Sequence, residues 1–464
     1  MTRSLRCRPH RLDISTRRMF RCDVSMFISR YLMVLVAVGA CFVPIAGWSA
    51  DMGGRGEARD LPRPAPAPTN LVKLSLDEAL ALFLKQNLDL LTAKYGIESA
   101  KGMQITARLF PNPVLTVGTL SATTSGQTID RTGQIATQVQ QLFEMAGKRG
   151  YRIESAGFGT QSVEANFEDA LRQLSFTVKD AYYRVQLAQR RLALAEENRD
   201  RFTRILEVNS IRFKKGYIAE VDLIRIRLQI VDFQSQVIQS IQEGDTARAD
   251  LRVLLNLLPS TELMLTTELD YRPIDPDIIT LRRLALDSRP DIRAKRLAQA
   301  QRAADLKLAR AYAIPDLTVG GGYAVQGPRG PDNQQQIILN FGIPLPLFNR
   351  NQGGITQAEV AVQAADADLR KTVVQVESQV DVAYRILIQS KRLVEAYRAG
   401  VLDDARATLT IVERAYERGG ATILDLLDAA RTSRTIQQNY IETLFNYQRN
   451  VFQLESAVGR ELSS

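Results

Sequence analysis

The sequence is written twice. Pro113-Val114-Leu115-Thr116-Val117-Gly118 recurs as Pro315-Asp316-Leu317-Thr318-Val319-Gly320. Phe213-Lys214-Lys215-Gly216 followed by Asp222-Leu223 recurs as Tyr416-Glu417-Arg418-Gly419 followed by Asp425-Leu426. Two matched landmarks at a shared offset of about 200 residues indicate a duplication, so the chain of 464 residues contains two copies of one unit. Repeat 1 spans 73–260 and repeat 2 spans 273–464.

Each copy reads helix, strand pair, long helix, turn, helix. In repeat 1 a helical stretch runs from Gly147 to Lys215, with Phe167, Leu171, Leu174, Val178, Ala181, Val185, Ala188, Leu192 and Ala195 stepping alternately by four and three. That 3.5-residue period lays an apolar seam along one side of a supercoiled helix. Repeat 2 repeats the pattern through Val373, Val376, Val380, Ala383, Leu387, Ser390, Val394, Tyr397 and Val401. The spacing predicts two unbroken helices, each on the order of 100 Å long. Alanine and serine in the seam suit close side-by-side packing in a wall.

Strands are expected near 113–122 and 133–142 in repeat 1, and near 315–326 and 335–344 in repeat 2. They alternate in character. Leu317, Val319, Gly321, Tyr323 and Val325 face one way and Thr318, Gly320, Gly322, Ala324 and Gln326 the other. Strands apolar on one side and polar or small on the other, about nine to eleven residues long, are what a membrane barrel requires. A spanning sheet must close on itself, and four strands are too few, so such a chain must oligomerise. A half-buried soluble sheet shows the same alternation. Glycine- and asparagine-containing loops, Ser121–Gly133 and Gly327–Asn333, join the strands.

The three cysteines (Cys7, Cys22, Cys41) and the only histidine (His10) precede residue 42. Residues 1–50 read as a signal peptide, with a basic start, an apolar run from Tyr31 to Ala46 and a small-residue exit at Gly47-Trp48-Ser49-Ala50. Translation from Met19 or Met26 gives a leader of ordinary size. A second reading makes Val38-Gly39-Ala40-Cys41 a lipobox with Cys41 acylated. Residues 51–72 read as a Pro-rich linker.

Removing the leader takes away eight arginines against Asp13 and Asp23, so the net charge falls from +9 to about +3 and nucleic-acid binding loses its support. It also removes zinc-site, thiol and histidine-base chemistry. No cofactor, metal or catalytic residue is expected. No later segment has the ~20 apolar residues of a spanning helix. Gly157-Phe158-Gly159 and Gly320-Gly321-Gly322 lack the strand-to-helix setting of a nucleotide-binding loop.

Over nearly its whole mature length the sequence resembles the TolC-like outer-membrane efflux family. Phe143-Glu144-Met145-Ala146-Gly147-Lys148-Arg149-Gly150 and Pro344-Leu345-Pro346-Leu347-Phe348-Asn349-Arg350-Asn351-Gln352-Gly353 resemble the subgroup serving cobalt–zinc–cadmium resistance pumps. The implied fold is mainly α with a β-barrel contribution: a duplicated helix–β-hairpin–long helical hairpin unit, assembled as a trimeric channel with four transmembrane strands per protomer. The implied function is a passive exit duct for heavy-metal cations, served by a periplasmic adaptor and an inner-membrane pump.

The resemblance also implies roles at the periplasmic tip. Gly216 and Gly419, which can take the left-handed conformation that closes a helix, become adaptor-docking turns. Asp425 and Asp428, three apart on one helix face, become a negative constriction that favours cations and raises carboxylate pKa values by mutual repulsion. Asp222 and Tyr416 become a gating pair. The family's gating arginine is absent: Ala421 stands in its place, with Arg418 nearby. Two other readings compete, a secreted periplasmic coiled-coil adaptor or scaffold with a single hairpin, and a carboxylate-dependent enzyme with acids converging in a pocket.

Overall fold

The computed structural model describes residues 71–120, 134–326 and 335–462. The leader with its Cys41 alternative, the linker up to residue 70 and the two strand-joining loops lie outside the described residues. All described elements belong to one compact unit, Ala65–Ser464.

Strand β1 (Leu71–Leu74) leads into α1 (Leu76–Gln86) and α2 (Leu88–Arg108). Leu71 and Val72, read from the sequence as linker, are therefore strand. Ser75 starts α1 with a reciprocal capping box: its hydroxyl accepts the Glu78 N–H at 3.2 Å, and Glu78 accepts the Ser75 N–H at 2.7 Å. Strands β2 (Val114–Leu120) and β3 (Gln134–Phe143) follow, then α3 (Lys148–Lys214) and α4 (Glu220–Leu254). Repeat 2 has the same order: α5 (Ile278–Ser288), α6 (Pro290–Ala311), β5 (Leu317–Gln326), β6 (Gln335–Gly342), α7 (Gln352–Ala396), α8 (Leu402–Glu417) and α9 (Ile423–Val458).

Between the repeats lies β4 (Glu262–Leu265), which pairs in parallel with β1. The sequence reading missed this pair. Tyr182, fully buried in α3, holds it: its hydroxyl donates to the Leu74 carbonyl at 2.9 Å and accepts the Thr267 N–H at 3.0 Å. The main apolar core surrounds this region, where Val178 to Tyr183 are all buried.

Helix α3 is unbroken over 67 residues, on the order of 100 Å. Its repeat 2 counterpart is not, which corrects the expectation of two continuous helices. A π turn, Tyr397–Val401, separates α7 from α8, and Gly400 inside it has φ 128°. Up to Val394 the seam turns inward as the four-and-three stepping requires, with Val376, Val380, Ala383, Leu387 and Val394 buried and Val373 and Ser390 half-buried, but Val401 is 43% exposed. The stripe resumes one residue late, at Ala405, Leu409 and Tyr416, because the extra residue of a π turn rotates everything after it.

The four strands form one antiparallel sheet in the order β2-β3-β5-β6. Its register gathers the alternating residues into two faces. Val117, Thr137, Tyr323 and Ile337 lie in one row and Leu115, Val139, Gly321 and Leu339 in the next, and the apolar members are exposed. The opposite face carries Gln138, Gln140 and Asn340, with Asn340 Nδ2 donating to Gln138 Oε1 at 2.6 Å. Gly322 sits under Gln138: a Cβ there would lie 2.5 Å from the Thr137 carbonyl.

Each hairpin is set on its long helix by a left-handed residue at the N-cap, Gly147 (φ 74°) for α3 and Asn351 (φ 57°) for α7. The Phe143–Gly150 stretch is the joint between β3 and α3, and it clamps the two repeats together. Buried Lys148 donates to the Ile314 carbonyl and to Asp316 Oδ1, both at 2.7 Å, and Asp316 also accepts the Met145 N–H at 2.8 Å. Within repeat 1, Arg152 makes a two-pronged pair with Glu144 at 2.5 and 2.9 Å.

Candidate functional site

At the far end of α3 from this joint, each repeat reverses direction in a turn of the same construction. The Gly216 N–H donates to the Phe213 carbonyl and the Tyr217 N–H to the Arg212 carbonyl, both at 2.9 Å. In repeat 2 the Gly419 N–H donates to the Tyr416 carbonyl at 3.1 Å and the Gly420 N–H to the Ala415 carbonyl at 2.8 Å. This paired capping needs a left-handed residue just past each helix, and Gly216 (φ 76°) and Gly419 (φ 80°) supply it. A Cβ at either glycine would meet nothing within 4 Å, so the requirement is conformational.

One side chain ties the turns together. Arg212 Nη2 donates to the Glu417 carbonyl at 2.6 Å, satisfying one of the carbonyls left open where α8 ends, and its guanidinium lies 5.9 Å from the centre of the Tyr416 ring. The Tyr416 hydroxyl donates to Asn209 Oδ1 at 2.7 Å, and Asn209 in turn donates to the Ile205 carbonyl. Burial pushes the Tyr416 hydroxyl above its ordinary pKa and the Asp222 charge adds to that, while Arg212 and the Asn209 bond act the other way. Beneath these polar contacts lies a second apolar core that includes Phe202, Ile226, Phe233 and Leu426, with the two phenylalanine rings 4.8 Å apart.

Asp222 and Tyr416 both line a cleft of 730 Å³ between the turns, together with Arg212, Arg225, Arg418 and Ala421. They are not hydrogen-bonded to each other: Tyr416 engages Asn209, and Asp222 accepts from Arg225 Nη1 at 3.4 Å. Arg212 and Asn209 were missed in the sequence, although a signal was there. Continuing the seam from Ala195 by threes and fours gives Asn198, Phe202, Ile205, Asn209 and Arg212, which puts polar groups where an apolar stripe is due.

Asp425 and Asp428 are exposed in the first turns of α9. Asp425 forms a capping box with Thr422, accepting the Thr422 N–H at 2.8 Å and its hydroxyl at 2.7 Å. These bonds from Thr422 hold the Asp425 carboxyl below its ordinary pKa, so within one chain its shift is opposite to the rise expected from a ring of like charges. Repeat 1 has Ala219 in place of Thr422 and Arg225 in place of Asp428, so Asp222 is left to pair along its own helix. The duplication kept the turn and changed its charge.

Among the described residues no cluster of three or more histidine, cysteine or acidic side chains could hold a metal, and no helix is long and apolar enough to cross a membrane.

Residues 79–257 and 281–460, one stretch in each repeat, match the family described as outer membrane efflux protein. The cobalt-zinc-cadmium resistance protein CzcC of Cupriavidus metallidurans is 26% identical over 86% of this chain and 92% of its own length. The outer membrane protein TolC of Escherichia coli K12 is 24% identical over 69% of this chain and 68% of its own. Among solved structures CusC superposes with a TM-score of 0.71 at 19% identity, covering 86% of this chain and 96% of that one. Matched through both of its halves, the chain belongs to the outer membrane efflux protein family.

Proposed function

We propose that the chain is one protomer of a homotrimeric outer-membrane duct through which an inner-membrane pump, coupled by a periplasmic adaptor, expels divalent heavy-metal cations. The observation that carries this reading is the four-stranded sheet: it presents an exposed apolar face, and its outer strands β2 and β6 are each paired on one side only among the described residues. Backbone groups cannot stay unpaired in lipid, so the sheet must close, and strands from three chains suffice for a small barrel. Residues 1–50 then act as the export leader, and the Pro-rich linker tethers the mature chain. The adaptor alternative calls for a single helical hairpin, whereas this chain has two, α3–α4 and α8–α9.

In this reading the Gly216 and Gly419 turns receive the adaptor, Asp222 and Tyr416 gate the tip, and Asp425 and Asp428 narrow the duct with negative charge that favours cations. The cation class rests on the name of the CzcC relative. Membranes of an expressing cell, fractionated and run in detergent unheated and heated, test the duct. A heat-sensitive trimer in the outer membrane supports it, and a soluble periplasmic monomer overturns it. Loss of cobalt, zinc and cadmium tolerance on deletion, with drug tolerance unchanged, supports the substrate class.

A further inference from the structure

The two tip turns share a backbone but not a charge. Aligned on Gly216 and Gly419, residues 211–227 carry five basic and two acidic side chains, whereas residues 414–430 carry two basic and three acidic. Lys214 stands where repeat 2 has Glu417, and Arg225 where it has Asp428. Lys214, Lys215, Arg227 and Arg418 are exposed and have no acidic partner among the described residues. The helix dipole accounts for Lys214 and Lys215 at the end of α3. It does not account for Arg225 and Arg227, which lie in the second turn of α4, near the end that favours anions.

The 730 Å³ cleft between the turns concentrates this imbalance, with the side chains of Arg212, Arg225 and Arg418 lining it against those of Asp222 and Glu417. None of the three guanidiniums is well served. Arg225 has only the 3.4 Å bond to Asp222, Arg212 donates to the neutral Glu417 carbonyl at 2.6 Å, and Arg418 has no carboxylate. Tyr217 and Leu424, 76% and 56% exposed, line the same cleft. A carboxylate with an apolar neighbour is the group that satisfies such a site, because the guanidinium fork matches a carboxylate in charge and in geometry.

We propose that this cleft receives a carboxylate side chain from the docking segment of the adaptor, so that the partner's tip is acidic. Arg225 and Arg418 hold the carboxylate, Tyr217 and Leu424 take an apolar neighbour, and its entry draws Arg212 off the Glu417 carbonyl, freeing one turn from the other. This rests on the reading that the turns receive an adaptor, and it names that partner's chemistry. A carboxylate competes for Arg212 because a charged acceptor bonds a guanidinium about twice as strongly as a neutral carbonyl does. Asp425 and Asp428, exposed on the second turn, repel the same segment and so direct it to the basic side of the cleft.

Planar bilayers holding the full-length protein test it, with hexaglutamate added on the tip side and hexaserine as the neutral control. Hexaglutamate should raise single-channel conductance and hexaserine should not. The half-effective concentration of hexaglutamate should rise with salt, which screens the attraction. Arg225→Gln with Arg418→Gln should raise that concentration by about tenfold for each guanidinium lost, and Lys214→Gln with Lys215→Gln, outside the cleft, should move it less. In Arg212→Ala the contact to be released is already gone, so hexaglutamate should add no conductance. A channel indifferent to hexaglutamate, a response independent of salt, or equal shifts from the two double variants overturns the carboxylate site while leaving the duct standing. The first two of these outcomes are read on the unmodified protein, so they decide even if a double variant fails to assemble. A protein that forms no channel at all overturns the duct reading itself.

Discussion

The guanidinium of Arg212 reaches the main-chain carbonyl of Glu417 at 2.6 Å, across 205 residues of sequence, and so fastens the end of one long helix to the end of its duplicate. With Tyr416 on Asn209 beside it, this contact makes the two tip turns one unit. Arg212 occupies the cleft in which the sequence offered only Arg418 as a substitute arginine.

Loosening that unit should open the tip. Tyr416→Phe leaves Asn209 Oδ1 short of a donor in a buried setting, a loss of about 1–3 kcal/mol. Arg212→Ala removes a charge-assisted bond of similar size. Either change should raise single-channel conductance in planar bilayers, and Tyr416→Phe with Asp222→Ala should raise it further. Unchanged conductance in Arg212→Ala would show that the contact is structural only.

Adjacent glycines in β5 should respond in opposite ways. Gly321→Ala points into open space and should leave trimer yield unchanged, whereas a Cβ at Gly322 meets the Thr137 carbonyl at 2.5 Å and Gln138 Cγ at 2.6 Å. Backbone cannot yield as a side-chain tip can, so Gly322→Ala should lose most of the heat-sensitive trimer on unheated gels. Equal yields from the two variants would contradict the pairing.

The Asp425 cap predicts a dependence on acid. Its carboxyl is held below the ordinary value by Thr422, so the stabilisation is complete above the unfolded pKa, near 4, and is lost as pH falls through the lowered folded value. Thr422→Ala should destabilise the start of α9 by about 1 kcal/mol at neutral pH. It should also flatten the acid limb below about pH 4 in hydrogen exchange of residues 423–428. An unaltered acid limb would assign it to other carboxylates.

Tyr182 serves two strands from one hydroxyl. Tyr182→Phe strands the Thr267 N–H in the main core, while the Leu74 carbonyl keeps the Thr266 N–H at 3.0 Å, and should cost about 1–3 kcal/mol of thermal stability, with channel conductance unchanged. A variant as stable as the parent would show that water replaces the hydroxyl.

Much of the architecture is written along the chain because it rests on local or periodic chemistry. The duplication, the seam from Phe167 to Ala195, the alternation in β5 and the helix-ending glycines Gly216 and Gly419 are each set by the side chains of a short stretch. Folding could change their partners, not their character. Thr422 and Asp425 are likewise a capping box readable from spacing alone.

Other features needed the chain to be folded, because they join residues that spacing cannot relate. The β1–β4 pair brings Leu71 to Glu262, two four-residue strands too short to show a pattern. Gly400 has no sequence signal separating it from the helical glycines 157 and 159. Only its neighbours decide that the helix takes up an extra residue there and moves the buried stripe from Val401 to Ala405 and Leu409. The tip depended most on folding. Arg212 and Asn209 look like defects in an apolar seam until the second repeat lies beside the first and presents Glu417 and Tyr416 as their partners. A polar group in a seam shows that a partner must exist; which one depends on how the two copies pack.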